Sequence, residues 1–181
     1  IGAPFLTGKT GDAAAVAASG LSAMTAKDEA DALAKVRALL GLLPSNCASL
    51  PEEIGTDDAN RASAIDGLTV RAAIEELCDK GSFLELGEGF GAGMVTGLAL
   101  LGGYPCGVVA NDAAVEGGVL TGDGARKAAK LVSLCNCFGL PVLTLVDSEG
   151  VAVSAKEEDA PLAAELGKLA MVYASANTAK L

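Results

Sequence analysis

The sequence predicts an α/β fold built on one unit: a strand hairpin, a crossover helix and a returning strand. Two apolar, strand-like runs at 94–101 and 105–110 meet at Gly102-Gly103, where glycine readily supplies the positive φ of a tight turn. A helix with an apolar face follows over about 123–138. The short β-branched run PVLTLVD, 141–147, then reads as a buried strand.

The other elements follow in chain order. Residues 1–23 form a small-residue segment with an alanine-rich run from Ala13 to Ala18. Thr25-Ala26-Lys27-Asp28 fits a capping box in its Asp variant. Behind it Ala30, Leu33, Val36, Leu39 and Leu40 recur at helical spacing, Leu42 and Leu43 extend the stripe, and Pro44 stops it. A polar, irregular stretch rich in Asp, Asn and Pro marks a linker. A second helix runs from about Val70 to Cys78, with Gly81 in a C-cap position, and leads to a strand near 83–86. After the central unit, Glu149 to Asp159 reads as a loop and Pro161 to Ala176 as a helix with Leu162, Leu166, Leu169 and Val172 on its apolar stripe. Lys180 and Leu181 begin a further strand. The predicted division is 1–46, a linker at 47–68, and a domain at 69–181.

Composition narrows the function classes. The 181 residues are 51% apolar, enough for a sizeable core, yet only 3% aromatic with no Trp, so that core is aliphatic and alanine-rich. A net charge of −10 argues against nucleic acid, which needs clustered cations, but leaves room for a small anion on a local positive patch. Histidine is absent, which removes Ser-His and Cys-His catalysis and any His-containing metal site. The five cysteines show neither zinc spacing nor a secreted framework, and read as buried reduced thiols of a cytoplasmic protein. Cys135 and Cys137, two apart on a helix, face different ways. No apolar run is long enough to span a bilayer, so the chain reads as soluble, and no metal is expected.

Several motifs invite sharper readings. Gly87-Glu88-Gly89-Phe90-Gly91-Ala92-Gly93 resembles a nucleotide loop, but Ala92 and Met94 occupy the third-glycine positions and a strand follows, not a helix. Arg126 and Lys130 share a helix face that would suit phosphate, while Arg126, Lys127 and Lys130 together read more plainly as a solvated face. The pairs Glu75/Glu76 and Glu157/Glu158 read as solvated surface.

Four blocks in order carry a family resemblance: the G-x-x-V-T-G run from Gly91 to Gly97, GGYPCGVVAN from Gly102 to Asn111, GVLTGDGARKAAKL from Gly118 to Leu131, and LCNCFGLPVLTLVD from Leu134 to Asp147. They resemble the carboxyltransferases of biotin-dependent acyl-CoA carboxylases and decarboxylases, of the acetyl-, propionyl-, methylmalonyl- or glutaconyl-CoA type. The resemblance implies a crotonase-like ββα spiral. It also implies that 1–46 is the tail of an N-terminal carboxyltransferase domain or a helical extension, and 69–181 an incomplete C-terminal one. The chain would then be one part of a two-domain unit. Implied partners are an acyl-CoA, biotin on a separate carrier domain, and the N-terminal carboxyltransferase half; uncovered apolar surface adds self-association into a homo-oligomer.

The resemblance also points to a site. In such enzymes backbone N–H groups form an oxyanion hole for a thioester enolate or the biotin ureido oxygen. The loop after strand 141–147 is Asp147-Ser148-Glu149-Gly150-Val151, where the family has Asp-Thr-Pro-Gly-Phe. Gly150 and Val151 are the implied catalytic donors, with Asn111 and Gly150 on the biotin side. Glu149 puts a negative charge where an anion would form, and the usual Pro after the V-A-N motif is replaced by Asp112-Ala113. Asn111 also has a plainer reading, as a strand-end residue closing its loop through a side-chain hydrogen bond. The family's Gly-Gly-Ala-Tyr run would lie beyond Leu181. Two functions therefore stand: a carboxyltransferase moving a carboxyl group between carboxybiotin and an acyl-CoA, or a catalytically degenerate domain serving assembly. A CoA hydrolase or isomerase would need a positioned acid or base, which the sequence does not place.

Overall fold

A computed structural model describes residues 11–55, 57, 64–154, 157 and 161–181. Parts of the N-terminal segment, the linker and the loop before the last helix, with Glu158, lie outside them. The elements in order are α1 (Ala13–Ala18), α2 (Glu29–Gly41), α3 (Val70–Leu77), β1 (Leu84–Glu85), β2 (Met94–Leu101), β3 (Tyr104–Asn111), α4 (Gly122–Phe138), β4 (Val142–Leu145) and α5 (Leu162–Ser175).

The sheet has the order β1-β2-β3-β4. The hairpin register pairs Met94 with Asn111 and Leu101 with Tyr104, leaving a two-residue turn. Gly102 and Gly103 both take positive φ there (59° and 83°), the requirement of a type I′ turn. Asp79 holds the turn from outside: its carboxylate accepts 2.7 Å bonds from both glycine amides. β4 returns parallel to β3 after the α4 crossover. Beyond β4, Leu181 N–H donates to Val142 and Thr144 N–H to Leu181, so the expected further strand does begin at the chain's last residues.

Alternation along the strands sorts two cores. Val95, Ala99, Cys106, Val108 and Ala110 face α3, where Ile74 and Cys78 meet them. Met94, Leu98, Val109 and Val142 face Ala128, Leu131, Val132 and Cys135 of α4. α5 packs along α4 and adds Leu169, Val172 and Tyr173. Small residues bring the layers together, since a side chain at Gly107 would run into Cys135 Sγ. Each fully buried Leu or Val contributes roughly 1.5–3 kcal/mol.

Several expectations change. The α2 cap lies three residues later, with Asp28 accepting from Asp31 N–H at 2.8 Å, because Asp31 returns a bond to Lys27 N–H. Leu42 is buried and Leu39 and Leu43 pack on the core, but Leu33, Val36 and Leu40 stay exposed. α3 ends at Leu77 with Cys78 extended, so Gly81 is no helix cap; it sits in the following turn at φ 71° and donates to Glu75. Of β4, only Val142 is fully buried. All five cysteines are free, yet Cys47 and Cys137 are exposed and only Cys78, Cys106 and Cys135 are buried. Cys135 and Cys137 do face different ways. Burial pushes the Cys135 thiol up to about 12. Contact with Cys78, then burial, raises that of Cys106. The carboxylate pairs are not plain solvated surface: Glu75 and Glu157 are half-buried, and Glu157 accepts from Gly122 N–H at 2.9 Å at the start of α4. Among the described residues no helix is long and apolar enough to cross a membrane.

Candidate functional site

The carboxyl ends of the parallel pair β3 and β4 open into a cavity of about 520 Å³, where ligands characteristically bind in open α/β sheets. Asn111, Asp112 and Asp147 line it, opposite Thr69 and Val70 at the start of α3. Asn111 is 8% exposed, and its Nδ2 donates to the Gly118 carbonyl at 2.8 Å, closing the loop after β3 as the plainer reading expects.

Asp112 belongs to a charge clamp that the sequence does not announce. Arg71 grips Glu85 with two 2.8 Å bonds and reaches Asp112 at 3.0 Å, tying α3 to β1 and to the end of β3. The hydrogen bonds to Glu85, the larger influence, and to Asp112 hold the guanidinium above its ordinary value. The only hint in the sequence is an arginine in the first turn of a helix whose dipole disfavours it.

Beyond Val146 and Asp147, the loop after β4 lies outside this cavity. Gly150, at φ 134°, is backbone that only glycine takes readily. Its N–H donates to Ser148 Oγ at 3.1 Å and its carbonyl accepts from Leu120 N–H at 2.8 Å. Leu120 and Val151 form a parallel bridge through Gly150 C=O and Ala152 N–H. Such a bridge turns the N–H of Val151 itself away from Leu120, and that amide has no partner among the described residues. Val151 is 46% exposed. Of the two implied donors, Gly150 is engaged and Val151 is available. Glu149 folds back over Gly117, and its N–H donates to the Gly117 carbonyl at 3.0 Å.

A second cavity, about 540 Å³, lies on the α4 side of the sheet, between α4 and the segments Ser19–Ala23 and Leu86–Phe90. Arg126 sits over the Phe90 ring at 4.7 Å and pairs with Asp123, while Lys130 donates to the Gly20 carbonyl. Lys127 departs from the solvated-face reading: it is only 7% exposed, its stem passing beneath Gly87. Burial, the largest cause, lowers its ammonium to about 8. The glycine-rich run is thus a set of close approaches, with Gly89 against Ala17 and Gly91 against the backbone of Asp123. Among the described residues no group of acidic, Cys or His side chains is placed to hold a metal.

The hairpin, crossover helix and parallel return are those of a crotonase-like α/β protein, and the solved structures that superpose on the chain are of the carboxyltransferase type. The chain belongs to the carboxyl transferase domain family, which matches residues 8–181. It is 34% identical over 176 residues to the uncharacterized carboxylase YngE of Bacillus subtilis (strain 168), covering 90% of this chain and 34% of that protein. It is 33% identical over 177 residues to the propionyl-CoA carboxylase beta chain of Saccharopolyspora erythraea, covering 87% of this chain and 32% of that one. Among solved structures, transcarboxylase 12S, a hexamer with methylmalonyl-coenzyme A bound, superposes with a TM-score of 0.85 at 28% identity, over 93% of this chain and 34% of its own. The chain spans about a third of the length of these relatives.

Proposed function

We propose that this chain is the biotin-side part of a carboxyltransferase that moves a carboxyl group between carboxybiotin and an acyl-CoA. Residues 69–181 would be the first part of its C-terminal domain, 47–68 a linker, and 1–46 the tail of the N-terminal one. A carrier domain would bring carboxybiotin, which supplies the carboxyl group. The observation that carries the reading is the Val151 N–H, turned away from Leu120 and without a partner among the described residues, on a loop held by Leu120 and Ser148. A fixed backbone donor of this kind fits an anionic oxygen, and losing one costs roughly 3–4 kcal/mol of barrier in enzymes that depend on it. Gly150 gives the loop its shape, and Asn111 keeps the neighbouring loop closed.

A second reading has its own support. The Gly150 N–H is occupied and Glu149 adds negative charge to the loop, which suits a domain kept for assembly. Substituting Glu149 separates the two. Restoring proline is unsuitable, since it would delete the Glu149-to-Gly117 hydrogen bond; Glu149→Gln removes the charge and keeps the N–H. Calorimetric titration with biotin is expected to show saturable binding that tightens about threefold to tenfold in Glu149→Gln. If neither form binds biotin while both stay folded, the catalytic reading is wrong and the assembly reading stands.

A further inference from the structure

The cavity beside α4 has nearly all of its polar groups satisfied. Ser19, Ser22, Ser133 and Thr96 each donate their hydroxyl to a backbone carbonyl. Arg126 is paired with Asp123, and Lys130 is bonded to Gly20. Lys127 alone is left over. It is more than nine-tenths buried, lines the cavity, and makes no hydrogen bond or ion pair among the described residues. Its acidic neighbours do not serve it: Glu85 is held in a two-point grip by Arg71, and Glu88 acts only through space. No carboxylate lines the cavity. The Lys127 side chain is largely buried while its ammonium keeps access to solvent, and an anion is the partner that a desolvated cation without a counter-ion lacks.

The rest of the wall is mostly apolar, formed by Leu21, Leu86, Phe90, Leu131 and Leu134. At about 540 Å³ the volume falls in the ~300–1,000 Å³ range of small-molecule sites. We propose that this cavity binds a linear aliphatic monocarboxylate, with its chain along the apolar wall and its carboxylate on the Lys127 ammonium. The inference rests on the cavity alone and is independent of the reading of the loop after β4.

The test is calorimetric titration of the full chain with laurate at pH 7, below its aggregation threshold. Laurate is expected to bind one-to-one, and dodecanol at least tenfold more weakly. Lys127→Met should weaken laurate at least tenfold, whereas Lys127→Arg should largely keep it. Leu134→Trp, which fills the cavity without touching the charge, should abolish binding while circular dichroism stays unchanged. Because burial lowers the Lys127 ammonium, laurate binding above pH 8 should take up a proton, read from the enthalpy in two buffers of different ionisation heat. Monomethyl dodecanedioate tells the sources apart: equal affinity assigns the site to a chain-end carboxylate on a larger molecule, weaker binding to a free fatty acid. Absence of saturable binding or equal affinity for dodecanol would overturn the proposal. Both readouts use the unmodified chain, so they decide without any variant.

Discussion

Lys127 shows what a residue-level reading of sequence misses. Its neighbours Arg126 and Lys130 are surface cations, and one position along the same helix turns Lys127 under Gly87. Its ammonium falls from 10.5 to about 8, so between those pH values the unfolded chain binds more protons than the folded one. Stability attributable to this residue therefore rises with pH through that window and carries its full penalty below it. Lys127→Met should raise unfolding free energy by about 1–2 kcal/mol at pH 7, allowing for water that reaches the ammonium through the cavity. The gain should vanish above pH 10.5, as urea titrations at several pH values would register. Asn111 went the other way. Its position at a strand end already indicated loop closure, and the bond to Gly118 is local enough to be read from spacing.

At the scale of elements, periodicity located nearly everything. β2, β3 and α4 fall within a residue or two of their expected bounds, because alternation, a Gly-Gly turn and an amphipathic stripe are local properties. Ends were harder to place. The α2 cap moved to Asp28 and α3 stopped before Gly81, since each end is decided by which side chain reaches the free amides. The hairpin turn depends on such a reach: Asp79, more than twenty residues away, caps Gly102 and Gly103. Asp79→Ala should cost about 1–3 kcal/mol by leaving both amides without their acceptor. Hydrogen exchange should quicken at the turn amides first. Exchange unchanged at Gly102 and Gly103 would refute the cap.

At the scale of the molecule, one surface is unfinished. Leu33, Val36 and Leu40 of α2 remain exposed at helical spacing, beside a core that takes Leu39, Leu42 and Leu43. An apolar face of this kind suits the rest of a two-domain unit or a second copy. The chain alone should therefore self-associate at micromolar concentration in sedimentation velocity. Replacing Leu33 and Leu40 by Glu should return it to monomer with Tm shifted by only a few degrees, since neither side chain contributes to the core. A monomeric parent chain would show that the face needs no cover.

The sequence by itself determined the crotonase-like carboxyltransferase class, the order of elements and the hairpin turn, because these depend on local pattern and on motifs contiguous in the chain. Only the tertiary structure decided the Arg71 clamp, the burial of Lys127 and the fate of the Gly150 and Val151 amides. Each of these depends on groups far apart in sequence meeting across a layer: helix against strand, or loop against loop. Whether a charge is paired, or an amide free, depends on that meeting, and residue spacing carries no record of it.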